Sequence, residues 1–370
     1  MVSAPYSSLP ALRWDLFCRV VDNLGDIGVC WRLSADLAAR GQQVRLWIDQ
    51  PGPLRWMAPG ALEGQVPGVQ VQHWHDPLSA HALADWVPGD VWVETFGCDP
   101  AAECMARLAE QLTQGGPTPV WINLEYLSAE GYVERCHRLP SLVNQDPLRG
   151  LTKWFFYPGF TGSTGGLLRE PDLLARQAAF HRPAWLQSQQ LPLGTARHIS
   201  LFCYEPPVLG KVMQAAAQEG PGCHWLVTPG RAAQAVAALS KHPASLHPLP
   251  ALTQHDFDHL LWASDLNCVR GEDSLVRALW AGQPFVWHIY PQHDNAHHAK
   301  LDAFLDWLDA PASLRHFHHQ WNGMVPAAGP VWPGWGVVDG WRTCVQAARA
   351  RLLAQDDLSS QLLGFVAKKR

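Results

Sequence analysis

Residues 15–48 read DLFCRVVDNLGDIGVCWRLSADLAARGQQVRLWI. Asp15 to Val21 is a short β-rich run, and residues 22–28 read as a glycine-containing loop. Val29 to Ala39 places apolar residues at helical spacing and closes at Gly41, and Val44 to Ile48 is a second β-rich run. The stretch is therefore a β-loop-α-β unit, the building block of a parallel sheet. Further β runs at Asp90 to Thr95 and Pro119 to Leu124 alternate with a helical stretch at Ala101 to Leu112, so the first ~150 residues read as one α/β domain.

The rhythm breaks at a Gly-rich stretch, Gly159 to Gly166, and at Glu170 to Gln190, the candidate inter-domain region, in which the glycine stretch reads as flexible, either a mobile lid or a linker. It restarts with strands at His198 to Cys203, His224 to Val227, Leu266 to Val269 and Pro284 to Trp287. Helices are expected at Lys211 to Gln218, Arg231 to Leu239, Asp256 to Ser264, Asp273 to Ala281 and Gly340 to Ala354. The expected fold is α/β of GT-B type: two Rossmann-like domains facing a central cleft, with the C-terminal helix packing back on the first. The expected boundaries are 1–180 for an acceptor-binding domain, completed by residues 345–370, and 181–344 for a nucleotide-sugar domain. Dehydrogenases and periplasmic-type binding proteins share this layout, so function has to come from the sites.

At 370 residues the chain suits two domains, and 47% hydrophobic against 16% charged residues is enough to bury two cores. No basic start followed by an apolar run opens the sequence, and no run of ~18 apolar residues follows, so the expectation is a cytoplasmic protein without a membrane span. Nine cysteines lacking any Cys-x-x-Cys pair, several of them inside apolar runs, read as reduced core thiols. A formal charge of −5 without a Lys/Arg run excludes a nucleic-acid footprint. Most of the nineteen tryptophans stand beside other apolar residues and read as packing.

The first loop, Val21-Asp22-Asn23-Leu24-Gly25-Asp26-Ile27-Gly28, lies where a dinucleotide fold carries G-x-G-x-x-G, but it offers only Gly25 and Gly28. Two carboxylates, Asp22 and Asp26, would repel a diphosphate there and favour a cation. Each aspartate alone is equally readable as a cap or turn residue.

A second loop, Asp265-Leu266-Asn267-Cys268-Val269-Arg270-Gly271-Glu272-Asp273-Ser274, runs from a strand into a helix. Free N–H groups at that helix start, the Ser274 hydroxyl and the Arg270 charge suit a diphosphate. Glu272 and Asp273 are better placed to accept hydrogen bonds from sugar hydroxyls. Gly282-Gln283-Pro284 then ends the helix and re-enters the sheet, the punctuation of nucleotide-sugar enzymes. Gln254 and Phe257, near a helix start, are candidates to meet a base, and Tyr204, at a strand end, to reach phosphate.

Asp256-Phe257-Asp258 superficially matches an Asp-x-Asp metal motif, but on a helix its two side chains diverge by ~200°. The histidines of residues 293–298 and 316–319 lack a tidy ligand set and read as surface residues. No metal or cofactor is expected. No Gly-x-Ser-x-Gly elbow or Walker motif is present.

Residues 14–33, Trp14 to Leu33, resemble the opening of the bacterial arginine rhamnosyltransferases that modify elongation factor P. Arg270 to Ser274 and Phe285 to Gln292 resemble that family's donor-site signature, and the resemblance runs over nearly the whole chain. It implies a GT-B fold and inverting transfer of rhamnose from dTDP-β-L-rhamnose to an arginine of elongation factor P. By the same resemblance, Asp26 is the general base, Asp22 its partner in holding the acceptor and Glu272 a further essential acid. Tyr204, Gln254, Phe257, Asp273 and Ser274 fall where the family binds the sugar nucleotide. Two other readings remain open from the residues themselves: a GT-B transferase with another acceptor, and a non-catalytic factor that binds elongation factor P.

Overall fold

The computed structural model describes residues 10–370 apart from 22, 75–77, 79–82, 84, 221, 242–244, 293, 327–328 and the side chain of Asn23. The chain forms two compact units, one of residues 1–170 with 355–370 and one of residues 171–354. The expected divisions were 180/181 and 344/345.

Unit 1 opens with β1 (Arg13–Cys18), α1 (Asn23–Ala39), β2 (Gln43–Ile48), α2 (Leu54–Met57) and β3 (Val69–His73). It continues with β4 (Val91–Thr95), α3 (Ala102–Thr113), β5 (Val120–Leu124), α4 (Tyr132–Cys136), β6 (Pro140–Leu142) and β7 (Thr152–Phe156). The strands form a sheet in the order β3-β2-β1-β4-β5-β7-β6, parallel except for β6, which runs antiparallel to β7. β4 and β5 are buried along their whole length, which is why they read as continuous apolar runs rather than alternating ones.

The pleat sends alternate residues to two cores. Trp14, Leu16 and Cys18 join α1 on one face. Phe17, Trp47, Trp92 and Trp121 pack on the other, together with Trp74 and Trp86. Asp15 lies within this aromatic face and is satisfied there by Trp47 Nε1 at 3.0 Å, Gly89 N at 2.7 Å and Arg45 Nε at 2.8 Å.

Unit 2 contains α5 (Leu173–Ala179), α6 (Arg182–Ser188), β8 (Arg197–Leu201), α7 (Leu209–Ala217), β9 (Cys223–Val227), α8 (Arg231–Ala237) and β10 (Leu246–Pro248). Then come α9 (Gln254–Ala263), β11 (Leu266–Arg270), α10 (Gly271–Ala281), β12 (Phe285–His288), α11 (Ala296–Trp307), α12 (Ala312–Trp321) and α13 (Trp335–Leu353). Its sheet, β10-β9-β8-β11-β12, is parallel throughout. The chain then returns to unit 1 as α14 (Leu358–Lys369), whose Leu358, Leu362, Leu363, Phe365 and Val366 complete the core under α1.

Several expectations are corrected. The expected loop at 22–28 is helical from Asn23, so Asp26 stands in the first turn of α1. The expected helix of residues 345–370 is two helices broken at 354–357, where Asp357 caps α14 by accepting from Ser360 N at 2.9 Å. The stretch 159–166 is packed rather than a flexible linker: Phe160, Thr164 and Gly165 are buried, and a β-carbon on Gly165 would lie 2.6 Å from the Phe156 ring.

The histidines do not all lie at the surface either. His318 is fully buried and accepts the Trp287 N–H at Nε2, 3.0 Å away, while Nδ1 meets Leu314 O at 3.0 Å. Burial pulls it down to about 4, so the neutral ring can serve as that acceptor.

The expected packing role of the tryptophans holds for Trp14, Trp47, Trp92, Trp225, Trp280, Trp287, Trp321 and Trp341, all fully buried. All nine cysteines are free. Among the described residues no helix is long and apolar enough to cross a membrane.

Candidate active site

In a doubly wound sheet the ligand crevice lies beyond the carboxyl ends of the two strands where the winding reverses. The strand orders put that point between β1 and β4 in unit 1 and between β8 and β11 in unit 2.

In unit 2, the segment after β8 delivers Phe202 and Tyr204, β11 ends at Arg270 and β12 at His288. Two guanidinium groups approach the buried Tyr204 ring, Arg231 Cζ at 4.6 Å and Arg270 Cζ at 4.8 Å from its centroid. Arg231 is the first residue of α8 and follows Gly230, whose φ of 86° and ψ of −134° suit glycine alone. It is also paired with Glu205, with Nε at 2.8 Å from Oε1. His288 and Tyr290 meet the Tyr204 ring edge-on at 5.2 and 5.7 Å.

His288 is buried, with 7% of its surface exposed, and its Nδ1 has no hydrogen-bond partner among the described residues. Burial pulls it down to about 3, with Arg231 and Arg270 acting in the same direction against Glu205. The imidazole is therefore neutral, and the cationic charge at this edge belongs to the two arginines.

Arg270 Cζ also lies 4.6 Å from the Phe202 ring, which meets Phe257 edge-on at 5.2 Å. Through Phe202 the first turn of α9 joins the same edge, and Gln254 is that helix's buried first residue. α10 begins at Gly271, two residues before the expected start, because Gly271 takes a φ of 62° and lets the strand turn at once into the helix. Ser274 Oγ accepts from Arg270 N at 2.9 Å and donates to Arg270 O, fixing that turn. Glu272 pairs with Lys300 at 2.7 Å, and Asp273 stands beside it in the first turn of α10.

The Asp256/Asp258 pair diverges as expected. Asp256 accepts from Thr253 Oγ1 at 2.7 Å, whereas buried Asp258 is gripped by Arg277 at 2.7 and 2.6 Å.

In unit 1, Asp26 is 3% exposed and its Oδ2 accepts the Val21 N–H at 2.8 Å, which folds the chain leaving β1 back over the first turn of α1. Asp22 lies outside the described residues. β4 ends in a tight turn at Phe96-Gly97, linked through Thr95 Oγ1 to Phe17 O at 2.7 Å and to Cys30 Sγ at 3.4 Å.

Phe202 and Arg231 were not singled out in the sequence, and His288 and Tyr290 were named only as part of the 285–292 donor-site signature, with no role given to either. Arg231 had a readable signal: Thr228-Pro229-Gly230-Arg231 follows an apolar strand as Arg270-Gly271 ends another. His288 lies within the donor-site signature of residues 285–292, and the register of β12 against β11, with Arg270 opposite His288, brings it to the site.

Residues 14–367 match the family model for the elongation factor P (EF-P) rhamnosyltransferase EarP. The chain belongs to the EarP family. It is 44% identical to a protein-arginine rhamnosyltransferase of Pseudomonas putida, over 95% of this chain and 98% of that protein. It is 40% identical to the Pseudomonas aeruginosa protein of the same description, over 96% and 98%. A solved structure described as the structural basis for EarP-mediated arginine glycosylation of translation elongation factor EF-P superposes with a TM-score of 0.61 at 30% identity, covering 97% of this chain and all of that one. The glycosyltransferase of kitacinnamycin, at 12% identity and a TM-score of 0.54 over 97% and 99% of the two chains, shares the fold. This EarP-family chain is thus a GT-B enzyme, a protein-arginine rhamnosyltransferase.

Proposed function

We propose that the enzyme transfers L-rhamnose from dTDP-β-L-rhamnose, with inversion, to one arginine side chain of translation elongation factor P in the cytoplasm. The observation that carries the donor half is the convergence of Arg231 and Arg270 on Tyr204 at the winding reversal of unit 2, a cationic edge suited to a diphosphate. In this reading Phe257 and Gln254 meet the base, and Tyr204 and the turn held by Ser274 meet the diphosphate. Asp273 and Glu272 accept from sugar hydroxyls, and unit 1 takes the acceptor.

The acceptor half rests on Asp26 together with family membership. A guanidinium with a pKa above ~12 and a carboxylate near ~4 differ by roughly eight units, so full proton transfer before attack would cost about 11 kcal/mol. Asp26, with Asp22 as its partner by resemblance, instead grips the guanidinium through charge-assisted hydrogen bonds and aims one nitrogen at the anomeric carbon. The new C–N bond forms as the bond to the diphosphate breaks. The attacking nitrogen gives its proton to the Asp26 carboxylate during or after that step, and Arg231 and Arg270 take up the charge of the departing diphosphate.

The test is mass spectrometry of elongation factor P after incubation with the enzyme and dTDP-β-L-rhamnose. A deoxyhexose on a single arginine peptide is the expected product. Unmodified factor recovered with the enzyme bound to it would overturn the reading in favour of a binding protein.

A further inference from the structure

The turn that ends β4 has a conformation unusual for its residues. Cys98 N–H donates to Thr95 O at 3.2 Å, and both central residues are at positive φ, 59° at Phe96 and 71° at Gly97. That is the geometry of a type I′ turn, whose first central position belongs to Asn, Asp or Gly. A phenylalanine there is a genuine outlier, and strain of this kind gathers where a protein places a side chain for use.

The placement is well defined. Phe96 N–H donates to Leu124 O at 2.7 Å, and two residues beyond Leu124 the Tyr126 ring stacks on Phe96 with centroids 4.5 Å apart and planes 15° from parallel. Tyr126 is 37% exposed. The turn is pinned to the end of β1 by Cys98 Sγ on Phe17 O at 3.0 Å and by the Thr95 contacts to Phe17 and Cys30. The stacked pair therefore stands at the carboxyl ends of β4 and β5, across the winding reversal from β1 and from Asp26 in the first turn of α1. Glu125, with Oε1 held by Asn123 Nδ2 at 2.8 Å, immediately precedes Tyr126 in the chain.

We infer that the Phe96–Tyr126 pair is a stacking platform for the acceptor arginine, holding the guanidinium plane against an aromatic face while Asp26 orients it. An exposed aromatic face beside a carboxylate-bearing helix start recognises a guanidinium specifically, because the planar cation stacks on the ring and Asp26 supplies the charge. Lysine, a compact ammonium, gains less from such a face. The inference rests on the acceptor role proposed for unit 1 and names the residues that select arginine.

The experiment uses the full-length enzyme with elongation factor P. Tyr126→Ala raises the KM for the factor by about tenfold with little change in donor affinity, and Tyr126→Phe restores it, because the face is kept. Phe96→Asn, which suits the turn, raises the KM in the same way. A double-mutant cycle supplies the decisive reading. Replacing the target arginine by alanine weakens binding to the wild-type enzyme more than to Tyr126→Ala, where only the hold of the acidic pair on the guanidinium is left to lose.

Additive losses, or an unchanged KM in both Tyr126→Ala and Phe96→Asn, would overturn the platform. If the wild-type enzyme modifies no arginine, the parent reading fails instead, and the two failures are distinct.

Discussion

Asp26 is a buried carboxylate whose backbone contact survives a change of charge: an amide oxygen can still accept from Val21 N–H. Asp26→Asn is therefore expected to fold and to bind donor as wild type, while kcat falls between about a hundred- and ten-thousandfold. Single-turnover kinetics with saturating donor would check this, and near-normal turnover would remove Asp26 from the chemistry. His288 offers a second check. Its folded pKa lies below the ordinary value of 6.5, at about 3, so the unfolded chain binds the extra proton first. Its contribution to stability is complete above pH ~6.5 and is lost as pH falls toward 3. The ring C–H resonances of His288 should not titrate between pH 5 and 8, and the acid limb of the stability curve should soften in His288→Asn.

Two elements carry more than their length suggests. In α9, Asp258 reaches back to Arg277 on α10 and to Arg176 at 3.3 Å, and both Asp258 and Arg277 are 1% exposed. Asp258→Asn leaves a buried guanidinium short of charge and should cost about 3–5 kcal/mol, read as a lower denaturant midpoint. α14 is the second. Arg40, at the end of α1, holds Asp357 at 2.8 Å and Ser360 at 2.7 Å, where the returning chain starts its last helix. Five apolar side chains of α14 enter the core, and at ~1.5–3 kcal/mol each their loss removes roughly 8–15 kcal/mol. A domain's whole net stability is of that order. Truncation before Leu358 should therefore leave unit 1 without a cooperative melting transition, whereas Arg40→Ala should only lower its midpoint.

For the whole molecule, the proposed division of labour between the two winding reversals can be tested by crossing two variants. Arg231→Ala is expected to raise the donor Kd about tenfold. It should leave the KM for the protein acceptor alone, the mirror image of Tyr126→Ala.

Much of this layout was legible because parallel sheets write themselves as apolar runs separated by glycine turns: β1, β4, β5, β8 and β11 lie close to where they were expected. The turn at Arg270-Gly271 was legible for the same reason. The start of α1 was misplaced because Gly25 and Gly28 read as breakers, yet both are accommodated within the helix. The position of His288 opposite Arg270 follows from strand register, although its segment was legible as a donor-site signature, and the Phe96–Tyr126 stack was invisible because no local pattern announces its left-handed turn.

The return of the chain into unit 1 also has a consequence in time. The seven-stranded sheet has all its strands once Phe156 is made, but the flank under α1 stays uncovered until residues 358–369 follow. At ~5–20 residues per second, translation of the intervening segment takes roughly 10–40 s. Throughout that interval the nascent chain presents the apolar side of α1 and β1, so unit 2 has the opportunity to fold first although it is encoded second. A chain ended at residue 356 and released from the ribosome should therefore yield a protease-resistant unit 2 joined to a chaperone-bound unit 1.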